Sequence, residues 1–336
     1  MSKIQIAGRR DFMKKVIAGA ALLRVTDPRG ALVAIEPTWE QTKSKVVIAH
    51  DALLRANGSA MDSDHMLNLL DRAMQALMDQ DDPIEAWRKL VHPGERLGLK
   101  VNTLGGRGIP SNPQLVEAIC ERLQQAGVRG RDIVVWDRNS EEMERAGFHL
   151  SIGGDKVQCF GTDRVGYEED LVSFGSVGSR LSEILTRRSD VLINVPVLKD
   201  HDGAGVTIAL KNMYGAIHNP NKYHPNGCDP YIADLNMLPE IRTRMRLTIC
   251  DATTAMYEGG PGFKPEHSWN CNSLLVSQDP VALDYAGWQM IERKRAASGL
   301  KTLEAENRAP RYIATAADAS HRLGTNDPRR ISTIEV

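Results

Sequence analysis

The sequence has almost no excess of charge of either sign and no apolar run long enough to cross a membrane. Lysine and arginine total 42 against 43 aspartate and glutamate residues. The molecule as a whole therefore offers little non-specific attraction to nucleic acid or to an anionic membrane. The apolar stretch near the amino terminus is too short for a bilayer and is interrupted by Arg24. We expect no nucleic-acid partner and no transmembrane anchor.

Cysteine is scarce, and its spacing excludes several kinds of metal centre. The sequence has neither a C-x-x-C pair nor a ferredoxin-like run, so zinc ribbons and cysteine-held iron–sulfur clusters are excluded. An odd number of cysteines leaves at least one thiol unpaired within a monomer, and we expect most of them to be buried apolar thiols. The five cysteines are Cys120, Cys159, Cys228, Cys250 and Cys271.

The chain also lacks solenoid-length repeats and low-complexity segments, and its composition is that of an ordinary folded protein. Apolar residues make up 42% and charged residues 25% of the 336 positions. These values argue against wholesale disorder, and the length suffices for one large domain or two lobes.

Short β-branched runs alternate with helical periodicity along most of the chain. A strand, a helix and a strand in that order form a βαβ unit, which implies a parallel sheet. The sequence therefore predicts an α/β fold over residues 40–336, with a mostly parallel sheet, helices on both faces and two lobes (roughly 40–180 and 181–336) around a cleft. The predicted buried strands are 45–50, 97–102, 132–137, 190–195 and 246–251.

The amino-terminal segment resembles an export signal. Residues 8–23 read GRRDFMKKVIAGAALL, with paired Arg9 and Arg10 before lysines and a short apolar stretch. This resembles the twin-arginine signal, with Gly8 where serine or threonine is more usual. It implies a signal over residues 1–34, recognition by the twin-arginine translocation machinery, and a folded, periplasmic product that often carries a cofactor. The alternative is a basic amphipathic helix retained on a cytoplasmic protein.

The stretch 193–224, INVPVLKDHDGAGVTIALKNMYGAIHNPNKYH, is unusually rich in lysine, histidine and glycine after an apolar run. In α/β sheets, ligands bind beyond the carboxyl ends of the strands. The loops where we expect functional residues are those after Asn102, Asp137, Pro196 and Asp251.

Within this stretch, Lys211 and His201 are the main candidates for chemistry. Lys211 lies in the mostly apolar segment VTIALKNMYGA, where burial would lower its pKa and make it a nucleophile or base. His201 would serve as an acid or base, and Lys199 would hold an anionic group. The small residues Gly203 and Gly205 let the backbone approach a ligand, so their amide groups could cradle an anion. The alternative is that the lysines are solvated surface charges.

Three histidines of the stretch, His201, His218 and His224, are candidates for a metal site. Imidazole suits zinc, nickel, copper and iron. We take His218 and His224 as candidate metal ligands. The alternative is that these are hydrogen-bonded or surface histidines, because no short two-histidine motif is present.

The motifs LGLKVN, INVP-LK-H, GVTIALKN-YG, CDATTAMYEGGPG and SQDPVALD follow one another between Gly98 and Asp284. This succession resembles the domain of unknown function 362 family, whose members often carry a twin-arginine signal. The family usually has lysine at the position of Val197 and threonine at that of Asp200, so this sequence departs from the pattern there. The ferredoxin-type motif of some members is absent.

A fainter resemblance is to the nickel-pincer lactate racemase family. That family has a histidine, a small-residue stretch and, ten positions on, a lysine that together carry catalysis and covalent cofactor attachment. His201 and Lys211 have this spacing, with Gly203 and Gly205 between them. The likeness implies a lysine-linked or metal cofactor, and the residues themselves identify none.

These observations support two functional hypotheses. The first is an enzyme or cofactor-binding protein with His201 and Lys211 as catalytic residues, acting on a small anionic ligand by acid/base chemistry of an isomerase or redox type. The second is a non-catalytic accessory subunit that docks onto a partner protein or another copy of itself. The expected substrate- or cofactor-binding residues are Lys199, Gly203, Gly205, Asn212, Asn102, Asp251 and Glu258.

Overall fold

The computed structural model describes residues 43–56 and 60–336, together with two short strands of the preceding segment. Those strands, Val25–Thr26 (β1) and Leu32–Val33 (β2), pair antiparallel. Met1–Thr42 and Lys43–Val336 are separate compact units. The twin-arginine pattern lies outside the described residues.

Twelve further strands belong to the described part of Lys43–Val336. Their bounds are Ser44–His50 (β3), Leu97–Lys100 (β4), Ile133–Trp136 (β5), Gln158–Cys159 (β6), Val172–Phe174 (β7), Val177–Ser179 (β8), Val191–Asn194 (β9), Val197–His201 (β10), Gly205–Thr207 (β11), Met245–Met256 (β12), Ser268–Ser277 (β13) and Ile331–Glu335 (β14).

The α-helices of the same residues vary from one turn to five. Their bounds are Ser63–Met78 (α1), Pro83–Arg88 (α2), Pro113–Gln125 (α3), Ser140–Arg145 (α4), Glu183–Arg187 (α5), Ala209–Asn212 (α6), Tyr231–Asn236 (α7), Pro239–Arg242 (α8), Pro280–Ala297 (α9) and Tyr312–Ala317 (α10). Short 3-10 helices cover Gly106–Gly108, Gly130–Asp132, Thr162–Arg164, Met213–Ala216, Pro220–Tyr223, Pro225–Cys228, Pro265–His267 and Pro328–Arg330.

A ten-stranded sheet organises this unit. Eight strands lie in the order β14-β3-β13-β12-β9-β4-β5-β6, while β10 and β11 extend the sheet beside β12. Along the eight-strand path, only β13 runs antiparallel to its neighbours. The predicted α/β fold with a mostly parallel sheet is confirmed. Strands from before and after residue 180 pair in this one sheet, and the division into lobes there stays a prediction.

The central strands of the sheet are buried on both faces, and β5, which is apolar at every position, shows how. In β5, Ile133 and Val135 pack into one core cluster, with helices α1 to α3. Val134 and Trp136 pack into a second cluster on the opposite face, with α5 to α7 and α9. This alternation follows from the two-residue repeat of a strand, and a sheet covered on both sides reads as a continuous apolar run.

Local signals explain where the two helices beside the parallel strands begin and end. Asp62 accepts hydrogen bonds from backbone N–H groups in the first turn of α1. Asn112 does the same for α3, and Pro113 occupies the first helical position. Gly127, at a φ of 105°, follows the end of α3. These are the capping groups that the first and last turns of a helix require.

None of the helices that the structure describes is both long and apolar enough to cross a membrane.

Candidate functional site

A cavity of about 280 Å³ opens at the carboxyl ends of β4 and β5, beside the hairpin of β10 and β11. This is the edge of a parallel sheet at which ligands usually bind. Polar and charged side chains from several segments converge there. Its lining residues are Lys100, Asn102, Leu104, Asp137, Arg138, Glu142, His201, Thr207, Lys211, Asn212, Tyr214, Gly215, Pro220, Asn221, His224 and Pro261.

The hairpin that carries His201 was not expected from the sequence, which predicts a loop directly after Pro196. The chain instead resumes as β10, which pairs parallel to the far half of β12, with Val197 opposite Asp251. It then turns back as β11. Pro196 interrupts the strand because it has no N–H to donate, but it does not end the sheet. The extension places the side chains of β10 in a buried, fixed position.

His201 is buried and held in one tautomer. Its Nδ1 accepts hydrogen bonds from the backbone N–H groups of Gly203 at 3.0 Å and Ala204 at 3.1 Å. In a neutral ring whose Nδ1 is an acceptor, the proton is on Nε2. Burial, assisted by the charge of Lys211, lowers the pKa of His201 to about 3. His201 is therefore a neutral N–H donor at physiological pH, and its basic nitrogen is already occupied.

Lys211 lies on α6, and its ammonium group is buried. The side chain is 6% exposed. Its Nζ lies 3.7 Å from the centre of the Tyr214 ring and 3.2 Å from Nε2 of His224. His224 directs its Nδ1 at the carbonyl of Pro220, 3.1 Å away, so its Nε2 is the acceptor. Burial lowers the pKa of Lys211 to about 8.

His201 and Lys211 share one end of the cavity through His224. The rings of His201 and His224 stack with centroids 5.8 Å apart, and His224 contacts Lys211 as described above. The structure thus brings together the two residues to which the sequence assigned chemistry. His224 joins them as a hydrogen-bond acceptor for Lys211.

The backbone amides that the sequence suggested for an anionic ligand are bonded within the protein. The amides of residues 203 and 204 go to His201, and those of Ala209 and Leu210 at the start of α6 go to the buried carboxylate of Asp284. Gly205 packs its α-carbon against the backbone of Arg308, where a Cβ would clash. Neither Gly203 nor Gly205 lines the cavity. Both belong to the hairpin of β10 and β11, Gly203 in its turn and Gly205 at the start of β11.

Below the cavity, Lys199 takes part in a buried chain of amides. Its Nζ donates to Oδ1 of Asn102 at 3.2 Å, and Asn102 donates to Asn212 at 3.0 Å. Asn212 donates in turn to Asn194 at 2.7 Å. Burial lowers the pKa of Lys199 to about 8. Asn102 and Asn212 line the cavity, as the sequence suggested, whereas Lys199 supports Asn102 from beneath.

Lys100 and Asp137 form a buried ion pair that the sequence analysis did not select as site residues. Their side chains are 2.7 Å apart, and both line the cavity. The sequence did contain a signal for this ion pair: a lysine lies within the apolar strand LGLKVN, and a buried lysine needs a partner of opposite charge. Gly215 packs against this pair, and a Cβ there would meet both charged groups.

Thr207 presents a polar atom with no partner in the cavity wall. The residue is 5% exposed, and its Oγ1 has no hydrogen bond with any residue that the structure describes. An unsatisfied buried hydroxyl costs free energy. Thr207 thus lines the cavity with a hydroxyl that is buried in the wall and unpaired among the described residues.

Asp251, Glu258 and His218 have structural partners away from the cavity lining. Asp251 accepts from Thr253 and from the backbone of Asn112. Glu258 pairs with Arg295 and Arg308. Nδ1 of His218 contacts Ser179 and the backbone of Arg180. Pro261, from the EGGPG loop of Glu258, does reach the cavity wall.

No group of three or more histidine, cysteine, aspartate or glutamate side chains within residues 43–56 and 60–336 is arranged to hold a metal ion. His218 and His224 differ in position, because only His224 lines the cavity. The assignment of these two histidines as metal ligands stays a prediction.

The fold and the cavity define an α/β protein with lysines and histidines at the carboxyl edge of a mostly parallel sheet. Residues 98–289 match the family described as Domain of unknown function (DUF362), and the chain belongs to this family. The family resemblance of the sequence motifs is confirmed.

The chain is similar to two known proteins, one in sequence and one in structure. The thylakoid-associated protein sll1697 of Synechocystis sp. is 26% identical over 214 residues, which are 61% of this chain and 65% of that protein. The chain thus matches slightly less than two thirds of the relative's length. A crystal structure of a Thermotoga maritima protein from the Northeast Structural Genomics Consortium has a TM-score of 0.45 and 11% identity, covering 71% of this chain and 60% of that one. The resemblance to lactate racemases stays a hypothesis.

Proposed function

We propose that the cavity binds a small anionic molecule, with the ammonium group of Lys211 at its buried end. The observation that carries this proposal is the unbalanced charge of Lys211. Its contacts are an aromatic ring and a neutral imidazole, and no carboxylate of the described residues forms an ion pair with it. A buried charge without a counter-ion is costly, so an anionic ligand would stabilise it.

The groups around the cavity also favour a negatively charged ligand. Lys199 adds a second buried cation beneath the cavity, also without an ion-pair partner among residues 43–56 and 60–336. Asp137 is balanced by Lys100. A volume of about 280 Å³ is at the lower end of the range of small-molecule pockets, which suits a metabolite-sized acid.

We further propose acid/base chemistry on that ligand. A pKa of about 8 for Lys211 leaves about a tenth of the amine neutral at pH 7, on the order of a hundredfold more than for an ordinary lysine. The neutral amine is the form that removes a proton. Because a bound anion favours the ammonium form, Lys211 acts as a base in those ligand complexes in which its amine is neutral. His201 would donate its Nε2–H to an oxygen on which charge develops. The proposed reaction is therefore an isomerase-type proton transfer on a small carboxylic or phosphorylated acid.

The binding proposal is tested with Lys211→Met, which removes the charge and keeps most of the apolar stem. We expect the affinity for small carboxylates, measured by titration calorimetry, to fall about tenfold or more. Lys211→Arg should retain part of it. Lys222→Met is the matched control, because Lys222 belongs to the same sequence stretch but is exposed and outside the cavity. Equal binding by wild type and Lys211→Met would refute the proposal.

Thr207→Val provides a second test that does not depend on a charge. Valine has nearly the same shape, and the hydroxyl that it removes is unbonded in the protein wall. We expect unchanged or slightly higher thermal stability together with weaker ligand binding. Weaker stability with unchanged binding would mean that this hydroxyl serves the fold alone.

Turnover separates the enzyme from the non-catalytic accessory protein. An acid that binds is incubated with the protein in deuterated water, and loss of its carbon-bound proton is followed by NMR. Exchange in wild type but not in Lys211→Met, with the acid at a saturating concentration for each protein, supports the enzyme. Binding without exchange supports the accessory subunit.

A further inference from the structure

The two ends of the cavity differ in a way that bears on which acid it accepts. One end holds Lys211, His201 and His224. The other end is formed by residues that follow β5, namely Asp137 and Arg138, with Glu142 of α4. Arg138 is exposed at this end. Its charged or phenolic neighbours include Glu142 and Tyr167, but no carboxylate of the described chain forms an ion pair with its guanidinium.

The topology places the two ends of the cavity on different strand paths. His201 lies on β10, which continues the path of β9 beside β12. Arg138 follows β5, and β4 lies between β5 and β9. Neighbouring strands are about 4.8 Å apart, so the strand path that leads to His201 and the one that leads to Arg138 are roughly 10 Å apart in the plane of the sheet. Lys211, on α6, lines the His201 end of the same cavity, so a short molecule that spans the cavity lies between the two cations.

We propose that the ligand carries two anionic groups, one held by Lys211 and the other by Arg138. The proposal rests on the proposed anion-binding function and extends it to the class of substrate. A planar guanidinium recognises a carboxylate or phosphate through two parallel hydrogen bonds. Between the two cations, Asn102, Thr207 and Asn212 form part of the cavity wall beside the middle of the ligand.

Glu142 is the group that opposes this assignment, because a carboxylate at the same end would repel a second anionic group. Its side chain lines the cavity, and no basic side chain of the described residues forms an ion pair with it. Burial and the nearby Asp137 raise the pKa of Glu142. Both causes favour the neutral form of this carboxyl and so reduce its repulsion of a second anionic group.

The test compares acids of equal length that differ at the second end. Succinate, glutarate and 3-phosphonopropionate are titrated against butyrate, valerate and γ-aminobutyrate. We expect the tightest dianionic probe to bind at least about tenfold more tightly than the monoanion of equal length. The comparison of succinate with 3-phosphonopropionate, which both have two methylene groups between their acidic groups, tells a preference for a second carboxylate from a preference for a phosphate-like group. Tighter binding of γ-aminobutyrate would overturn the proposal in favour of Glu142.

Variants locate the second contact. Arg138→Gln should weaken dianion binding about tenfold and monoanion binding much less, whereas Glu142→Gln should strengthen dianion binding. Arg145→Gln is the control, because Arg145 lies on α4 outside the cavity and pairs with exposed Glu141. Equal losses for both kinds of acid in Arg138→Gln would overturn the dianion assignment while the anion site stands. If none of these acids binds to wild type, both proposals fail.

Discussion

Three lysines near the cavity differ in how their charge is balanced. Lys100 has a carboxylate partner in Asp137. Lys199 contacts an amide and Lys211 an imidazole and an aromatic ring, and neither forms an ion pair with a carboxylate of the described residues. Burial lowers the pKa of both Lys199 and Lys211 to about 8, because loss of water disfavours the charged amine. Of these two, Lys211 alone lines the cavity, which makes it the amine available to a ligand.

The lowered pKa of Lys211 predicts an unusual pH dependence of its reactivity. Only the neutral amine reacts with an acylating reagent, so labelling of Lys211 should reach half its maximum near pH 8. An ordinary lysine does so near its pKa of about 10.4. The native protein is labelled over a pH series beside N-acetyl-lysine amide, and mass spectrometry of its peptides gives the half-point of labelling for Lys211 and for the reference amine. A half-point near that of the reference amine would refute the proposed base.

The same pKa predicts how ligand affinity depends on pH. Since anion binding needs the protonated amine, the affinity for an anionic ligand should fall as pH rises through about 8.

At the scale of elements, Arg308 links the hairpin of β10 and β11 to the loop that follows β12. Its guanidinium contacts Asp200 of β10 at 2.7 Å and Glu258 of the loop after β12 at 3.0 Å. Gly260 of that loop donates to Asp200 at 2.9 Å. Asp200 is fully buried. The ion pairs therefore hold the strand of His201 and the loop of Pro261 in one place.

Arg308→Met should destabilise the fold because it leaves Asp200 as a buried carboxylate without its cation. Loss of one partner of a buried pair costs about 3 kcal/mol in the free energy of unfolding. Burial already raises the pKa of Asp200 to about 6, and the variant should raise it further. A carboxyl whose folded-state pKa is raised binds more protons in the folded state, so the loss should be larger at pH 8 than at pH 5.

Urea unfolding of wild type and Arg308→Met at both pH values tests this prediction. Arg145→Met is the control, because its ion pair with Glu141 is exposed and should leave stability unchanged. An Arg308→Met protein as stable as wild type at pH 8 would show that these contacts do not hold the hairpin.

How far the sequence predicted these elements depended on the range of the interactions involved. The strands near 97–102 and 132–137 and the helix from Pro113 carry their signals locally, as apolar runs and caps, and they appear as expected. Strand β10 was missed because Val197–His201 contains Lys199, Asp200 and His201, and their burial depends on partners distant in sequence.

The same distinction applies to the site. The burial of Lys211 follows from its apolar neighbours and was predicted. The tautomer of His201 depends on two backbone amides in a turn, and the burial of Asp284 depends on the start of α6. No pattern of residues in the sequence predicts those contacts. The sequence analysis therefore predicted that Gly203 and Gly205 contact a ligand, whereas in the structure these glycines form part of the hairpin.

At the scale of the molecule, the described part of the chain does not depend on disulfides. All five cysteines are free thiols, and all but Cys271 are buried. Burial raises the pKa of Cys120 and of Cys159 to about 12, which keeps these thiols protonated and unreactive. Lys43–Val336 forms one compact unit whose five cysteines are all unpaired thiols. That property suits the export of a folded chain that we propose from the amino-terminal sequence.

The export proposal predicts that Arg9 and Arg10 together direct the folded protein out of the cytoplasm. The paired arginines lie before a short apolar stretch, and the twin-arginine pathway reads such a pair. A variant with Arg9→Lys and Arg10→Lys keeps the charge and should stay in the cytoplasm, as measured by fractionation of the native host. Arg24→Lys, outside the pair, is the matched control and should be exported like wild type. If wild type and the twin-lysine variant are equally cytoplasmic, residues 8–23 are a retained basic segment, and the proposed ligand must be sought among cytoplasmic acids.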